Sequence, residues 1–96
     1  MSKEIRLGIL YSGQLETQLI KSAKKIGGIE TIVLTNDKDG PAKHYADEFI
    51  CADLNDKRVI EKFVKKIDLC TYAFENLDYE ILKSIADVKE VHPSPD

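Results

Sequence analysis

Tryptophan is absent from this 96-residue chain, methionine occurs once, and cysteine and histidine occur twice each. Cys51 and Cys70 have no His or Cys companions at ligand spacing, so a zinc module is excluded. Both lie in apolar runs and are expected as free, buried thiols. His44 and His92 are far apart, without partners at triad or metal spacing. No catalytic or metal-binding residue is therefore assigned. No apolar run approaches the ~18–20 residues that a bilayer span requires. Nor does a basic stretch lead into a long apolar segment with a small-residue cleavage site, so no secretory signal is expected. A basic excess is lacking too. The net charge of -3 argues against a general nucleic-acid or membrane-surface binder, which must neutralise phosphates. Together these absences point to the cytoplasm. What is present, 43% hydrophobic and 32% charged residues, suits one soluble domain with one core.

Along the chain, short apolar runs alternate with helical periodicity. Ile5 to Tyr11 (IRLGILY) reads as a buried strand broken by Ser12 and Gly13. Leu15, Leu19, Ile20, Ala23 and Ile26 recur at helical spacing, with Lys21, Lys24 and Lys25 opposite. Gly27 and Gly28 end that helix, since glycine accepts the left-handed cap conformation. Thr31 to Thr35 is a β-branched second strand, and residues 36–41 form a loop. Ala42 to Asp47 suggests a short helical turn, and Glu48 to Ala52 a third strand. Asp53, Asn55 and Asp56 offer N-caps for a helix whose apolar stripe is Val59, Ile60, Phe63, Val64 and Ile67. Leu69 to Tyr72 is a fourth strand. A third helix follows Asn76 to Asp78 and carries Ile81, Leu82, Ile85 and Ala86. Val88 to His92 is a fifth strand, and Pro93 and Pro95 stop regular structure. Strands separated by helices imply an α/β, Rossmann-like, doubly wound parallel sheet of five strands with helices on both faces. Right-handed crossovers predict strand order 3-2-1-4-5. Residues 1–96 are read as a single domain, with 93–96 a tail or the start of a linker.

In such a sheet ligands bind at the carboxyl ends of the strands, where strand order reverses. That point falls between the first and fourth strands. Its loops are Tyr11-Ser12-Gly13-Gln14 and Ala73-Phe74-Glu75-Asn76. Gly13 and the following helix N-terminus suit an anion, although a plain strand-to-helix turn explains the same residues. Glu75 and Asn76 suit either a helix-capping turn or hydrogen bonds to ribose hydroxyls or an amine. Gly8 and Gly13 have P-loop glycine spacing, but Gln14-Leu15 stands in place of Lys-Ser/Thr. No acidic pair follows the first strand, so a receiver domain is excluded, and no nucleophile has an adjacent base.

Three segments carry a resemblance. Gly8 to Leu15 (GILYSGQL) is similar to G-I-L-G-G-G-Q-L. Val33-Leu34-Thr35-Asn36-Asp37, Pro41-Ala42 and Ala46-Asp47-Glu48 resemble V-L-D-P-D, P-A and A-D-E. Thr71 to Asn76 (TYAFEN) and Val91 to Pro95 (VHPSP) resemble T-Y-E-F-E-N and V-x-P-S-P. Together, over nearly the whole chain, they resemble the N-terminal, pre-ATP-grasp domain of carboxyaminoimidazole ribonucleotide synthetases of purine biosynthesis, also called the ATPase subunit of phosphoribosylaminoimidazole carboxylase. The resemblance implies ATP- and Mg²⁺-dependent carboxylation of aminoimidazole ribonucleotide by the full-length enzyme. It implies substrate contacts through Gly13, Gln14, Leu15, Glu75 and Asn76. ATP, Mg²⁺ and bicarbonate belong mainly to ATP-grasp domains, for which 96 residues leave no room, so no cofactor is expected on this chain alone. The partners implied are ATP-grasp domains in the same or another chain. The family pattern is broken at four places. Tyr11, Ser12 and Glu16 replace glycines, and Ala73 replaces the first glutamate of E-F-E. Tyr11, Ser12 and Glu16 are expected to put side chains into space that the family keeps open for substrate. The other reading that these residues support is a stand-alone binding or interaction module that dimerises.

Overall fold

Short β-branched runs and amphipathic helices alternate along this chain because each strand needs a helix to cover one of its faces. A computed structural model describes residues 5–11, 13–72 and 79–92. The order of elements is β1 (Ile5–Leu10), α1 (Gln14–Ile26), β2 (Ile29–Thr35), a 3₁₀ turn (Pro41–His44), β3 (Glu48–Cys51), α2 (Lys57–Lys66), β4 (Leu69–Tyr72), α3 (Tyr79–Ala86) and β5 (Glu90–His92). The strands form one parallel sheet in the order β3-β2-β1-β4-β5. The predicted order and element types are therefore borne out.

Alternate residues of each strand serve opposite faces. Leu10, Ile32, Leu34 and Cys70 face α2 and α3, where they pack with Ile60, Phe63, Ile67, Leu82 and Ile85. Ile9 and Val33 face α1 and the 3₁₀ turn and meet Ile20 and Ala42. Gly8 is the point of closest approach. A Cβ there would lie 2.7 Å from Phe63 Cζ and 2.8 Å from Ile67 Cδ1, so only glycine lets α2 seat its fully buried Phe63 against β1. Burying that ring stabilises the fold by about 1.5–3 kcal/mol. The Cys70 thiol in the same core is pushed by burial from 9.0 up to about 12.

Loops are tied by specific polar groups. The Asp47 carboxylate accepts the Thr31 N–H at 2.8 Å and the Thr31 hydroxyl at 3.2 Å, which pins the segment before β3 to β2. The Arg6 N–H donates to Asp68 Oδ2 at 2.7 Å, and the Asp68 N–H returns a bond to the Arg6 carbonyl, so β1 and β4 are aligned at their starts. Lys66 pairs with Glu48 at 2.7 Å across the surface.

Several expectations shift in detail. β1 ends at Leu10, before Tyr11. The buried stripe of α1 is Glu16, Thr17, Ile20 and Ala23. Leu15 and Ile26 stand 63% and 76% exposed instead. The first turn instead buries Glu16 and Thr17, which are tied by hydrogen bonds to Gly13, while Ile20 and Ala23 are buried as expected. Cys51, at the end of β3, is exposed, and the reading of a buried thiol holds only for Cys70. Val88 lies before β5 and is exposed, because α3 ends in backbone turns in which the Val88 and Lys89 N–H groups return to the Ile85 carbonyl.

Candidate functional site

The pairing of Leu10 with Tyr72 brings the carboxyl ends of β1 and β4 side by side, with β2 and β5 diverging to either edge. This is the reversal point at which doubly wound sheets bind ligands. From it leave the connection into α1 and the connection from β4 to α3. Residues 73–78 lie outside the described residues, and with them Ala73 and the predicted site residues Glu75 and Asn76.

The first connection is tightly built. The Tyr11 N–H donates to the Leu34 carbonyl at 2.8 Å, so the chain keeps contact with β2 for one residue past β1. Tyr11 then takes a φ of 75°, a left-handed conformation that a non-glycine residue adopts at a cost of about 1–2 kcal/mol. Gly13 is the N-cap of α1 and has no side chain to offer the helix N–H groups. The reverse half of a capping arrangement is present. Glu16 Oε1 accepts the Gly13 N–H at 2.9 Å, and the Thr17 hydroxyl donates to the Gly13 carbonyl at 2.9 Å. Gln14 and Leu15 follow, both exposed, on the first turn. The structure thus gathers Gly13, Gln14 and Leu15 at the switch point, with only Gly13 engaged in the local network.

Two features here were missed from the sequence. Glu16 turns inward and is 2% exposed, so its side chain fills the interior behind the loop instead of the open space expected of it. Its Oε2 is shielded and has no hydrogen-bond partner among the described residues. A glutamate three positions after an N-cap is the capping-box spacing, and that signal was available. The strain at Tyr11 had no comparable signal. The Tyr11 ring and the Glu16 carboxylate converge on Gly13. A Cβ at that glycine would lie 2.9 Å from Glu16 Oε1 and 3.4 Å from Tyr11 Cε2.

ATP and Mg²⁺ do not fit these residues. The loop carries no phosphate-binding lysine, and the carboxylate already holding the Gly13 N–H would oppose a triphosphate. Among the described residues no three His, Cys, Asp or Glu side chains gather as a metal site. Neither group is assigned to this chain. A separate groove of about 460 Å³ lies between α2 and α3, lined by Leu54, Ile60, Val64, Ile81 and Val88. It lies on the side of the sheet that α2 and α3 cover.

Fold and topology together define a doubly wound α/β domain whose strand order reverses between β1 and β4. Residues 4–96 match the ribonucleotide synthetase preATP-grasp domain, and the chain belongs to that family. It is 38% identical over 92 residues to the N5-carboxyaminoimidazole ribonucleotide synthase of Bacillus subtilis, a match covering 91% of this chain and 24% of the relative. An N5-carboxyaminoimidazole ribonucleotide synthetase solved with ADP superposes with a TM-score of 0.88 at 28% identity, over 99% of this chain and 25% of that one. The Aspergillus clavatus enzyme, solved with ADP and 5-aminoimidazole ribonucleotide, gives a TM-score of 0.78 at 25% identity, over 99% and 25%. The chain thus spans about a quarter of the length of the proteins it matches, at their N-terminal end. No helix among the described residues is long and apolar enough to cross a membrane.

Proposed function

We propose that this chain is the ribonucleotide-side domain of a cytoplasmic carboxyaminoimidazole ribonucleotide synthetase system. It is a single domain over residues 1–96, with 93–96 a terminal tail or the start of a linker. It acts with ATP-grasp domains, in the same or another chain, that bring ATP, Mg²⁺ and bicarbonate. Its share of the work is to present Gly13, Gln14 and Leu15, with Glu75 and Asn76 from the neighbouring connection, to aminoimidazole ribonucleotide. The observation that carries this reading is agreement over nearly the whole chain with one quarter of the length of its relatives. Exposure of Gln14 and Leu15 supports it, because two unsheltered residues on a ligand edge suit a site completed by another domain.

Calorimetric titration with aminoimidazole ribonucleotide tests it. Binding by the 96-residue chain, tightened when an ATP-grasp partner is added, is the expected result. A folded chain that takes no ribonucleotide in either condition refutes the reading. The chain alone is expected to release no phosphate from ATP in the presence of bicarbonate and ribonucleotide, and steady release would break the division of labour.

A second reading, a dimerising module, has its own observation in exposed Leu15 and Ile26 on α1 and in the apolar α2–α3 groove. Sedimentation equilibrium separates the two. A concentration-dependent dimer without ribonucleotide binding favours the module, and a monomer at all concentrations removes it.

A further inference from the structure

Two exposed apolar features sit on opposite faces of the sheet and match each other in charge. The first is the end of α1. Ile26 is its last residue and stands 76% exposed between Lys25 and Gly27. Gly27 and Gly28 follow at positive φ, and a Cβ at either would meet nothing within 4 Å, so the helix ends in open space. Ile26 is thus a projecting apolar knob with two lysines behind it. Lys24 and Lys25 suit the carbonyl end of any helix, but that role gives no reason for an isoleucine beside them. The second feature is the groove of about 460 Å³ between α2 and α3. Its floor is apolar, and Val88 in its lining is 62% exposed. The charged residues that line it are Glu61, Glu80 and Asp87, against one cation, Lys57, among the described residues. Lys24, Lys25, Glu61 and Asp87 have no ion-pair partner among the described residues. Helix α1 packs on the sheet face of Ile9 and Val33, whereas α2 and α3 pack on the face of Leu10 and Leu34. Knob and groove therefore cannot meet within one chain.

We propose that the α2–α3 groove is filled by the Ile26 end of α1 from a second copy of this chain. The branched side chain enters the apolar floor, and Lys24 and Lys25 face the acidic rim. The surfaces are small, so the contact is weak and sensitive to salt. Because two different surfaces meet, the contact is heterologous. Each pair keeps an unused knob at one end and an unused groove at the other, and copies add head to tail instead of closing into a two-fold dimer. This contact goes beyond the ribonucleotide reading and does not rest on it, since Ile26 lies at the opposite end of α1 from Gly13.

Sedimentation velocity tests this on the 96-residue chain, taken up to about 1 mM, and on the variants Ile26→Glu and Val88→Glu. Both positions are exposed, so both variants are expected to keep the fold. The wild-type chain should grow past the mass of a dimer without a plateau and return toward monomer in high salt. Each variant alone should associate about tenfold or more weakly. Mixed in equal amounts, the two should form a one-to-one dimer and nothing larger, because the Val88→Glu chain keeps its knob and the Ile26→Glu chain keeps its groove. Should either variant fail to fold, Ile26→Ser or Ser84→Arg takes its place, and the mixture is read in the same way. A wild-type monomer at every concentration overturns the proposal, as does a mass that stops at the dimer or a variant that associates like the wild type. A mixture no larger than its separate components overturns it too, and leaves the groove to a segment of another protein. Ribonucleotide binding is read in its own titration, so failure of that reading and failure of this contact are told apart.

Discussion

Helices α1 and α2 begin in opposite ways. At α2 the Asp56 side chain accepts the Arg58 N–H at 2.9 Å, and Asp53 orders the preceding turn by accepting the Asn55 N–H. The helix then drops Phe63 onto Gly8 in a packed core. Every local preference there agrees with the fold. At α1 the cap residue is a glycine, the carboxylate reaches backward, one of its oxygens is orphaned, and the residue before the loop is held at positive φ. Consistency across levels is what makes a sequence specify a structure, and local violations concentrate where function intervenes. The contrast sets a start of α2 whose groups are satisfied against a start of α1 that carries backbone strain and an unpaired oxygen.

The strongest way to sharpen this contrast is Phe63→Ala. Removing a fully buried ring opens a cavity between α2 and the sheet and is expected to cost about 3–5 kcal/mol, read as a shift in urea midpoint. Leu15→Ala, at the exposed start of α1, is expected to change stability by less than about 0.5 kcal/mol. If both moved the midpoint equally, the distinction between scaffold and edge would collapse. The same core gives a pH signature. The Cys70 thiol ionises near 12 when folded, against an ordinary 9.0. A raised folded value means that its contribution is complete below pH 9 and is lost as pH climbs from 9 to 12. Urea midpoints should therefore fall over that window, and the fall should be shallower in Cys70→Ala. Identical slopes would show that the thiol is not sealed in the core.

Next in size is the cap of α2. Asp56→Ala should lower stability by about 1 kcal/mol and leave any ribonucleotide titration unchanged. A binding defect in Asp56→Ala would blur the two helix starts into one functional surface.

Most of the fold could be read from the residues for a physical reason. β-branched runs such as Thr31 to Thr35 and the Ile60-Phe63-Ile67 stripe report burial on one face, and paired glycines after Ile26 report a helix end. Gly27 and Gly28 do sit at φ 82° and 73°. Leu15 and Ile26 misled because hydrophobicity alone sets the phase of a helix only when its inward face is apolar. In α1 that face includes Glu16 and Thr17, held by hydrogen bonds to Gly13. The position of the ligand edge followed from topology, since strand order alone fixes where β1 and β4 diverge. The geometry of that edge did so only in part: the capping-box spacing from Gly13 to Glu16 is visible in the sequence, whereas the positive φ at Tyr11 is a property of the folded loop alone.

The most specific expected effect is at Tyr11. Replacing it with glycine removes a left-handed penalty of about 1–2 kcal/mol. The same change adds chain entropy to the unfolded state, worth about 0.5–1 kcal/mol against folding, and it gives up the ring contact beside Gly13. These terms nearly cancel, so Tyr11→Gly should leave the urea midpoint within about 1 kcal/mol of the parent. What should change is access. With the ring gone, the Gly13 N–H and the Glu16 carboxylate lose a neighbour on their outer side, and hydrogen exchange at Gly13 should accelerate while exchange in α2 stays unchanged. Acceleration at both helices would mean that Tyr11 supports the whole sheet. Acceleration at Gly13 alone would make it the cover of one loop, strained because of where it must stand.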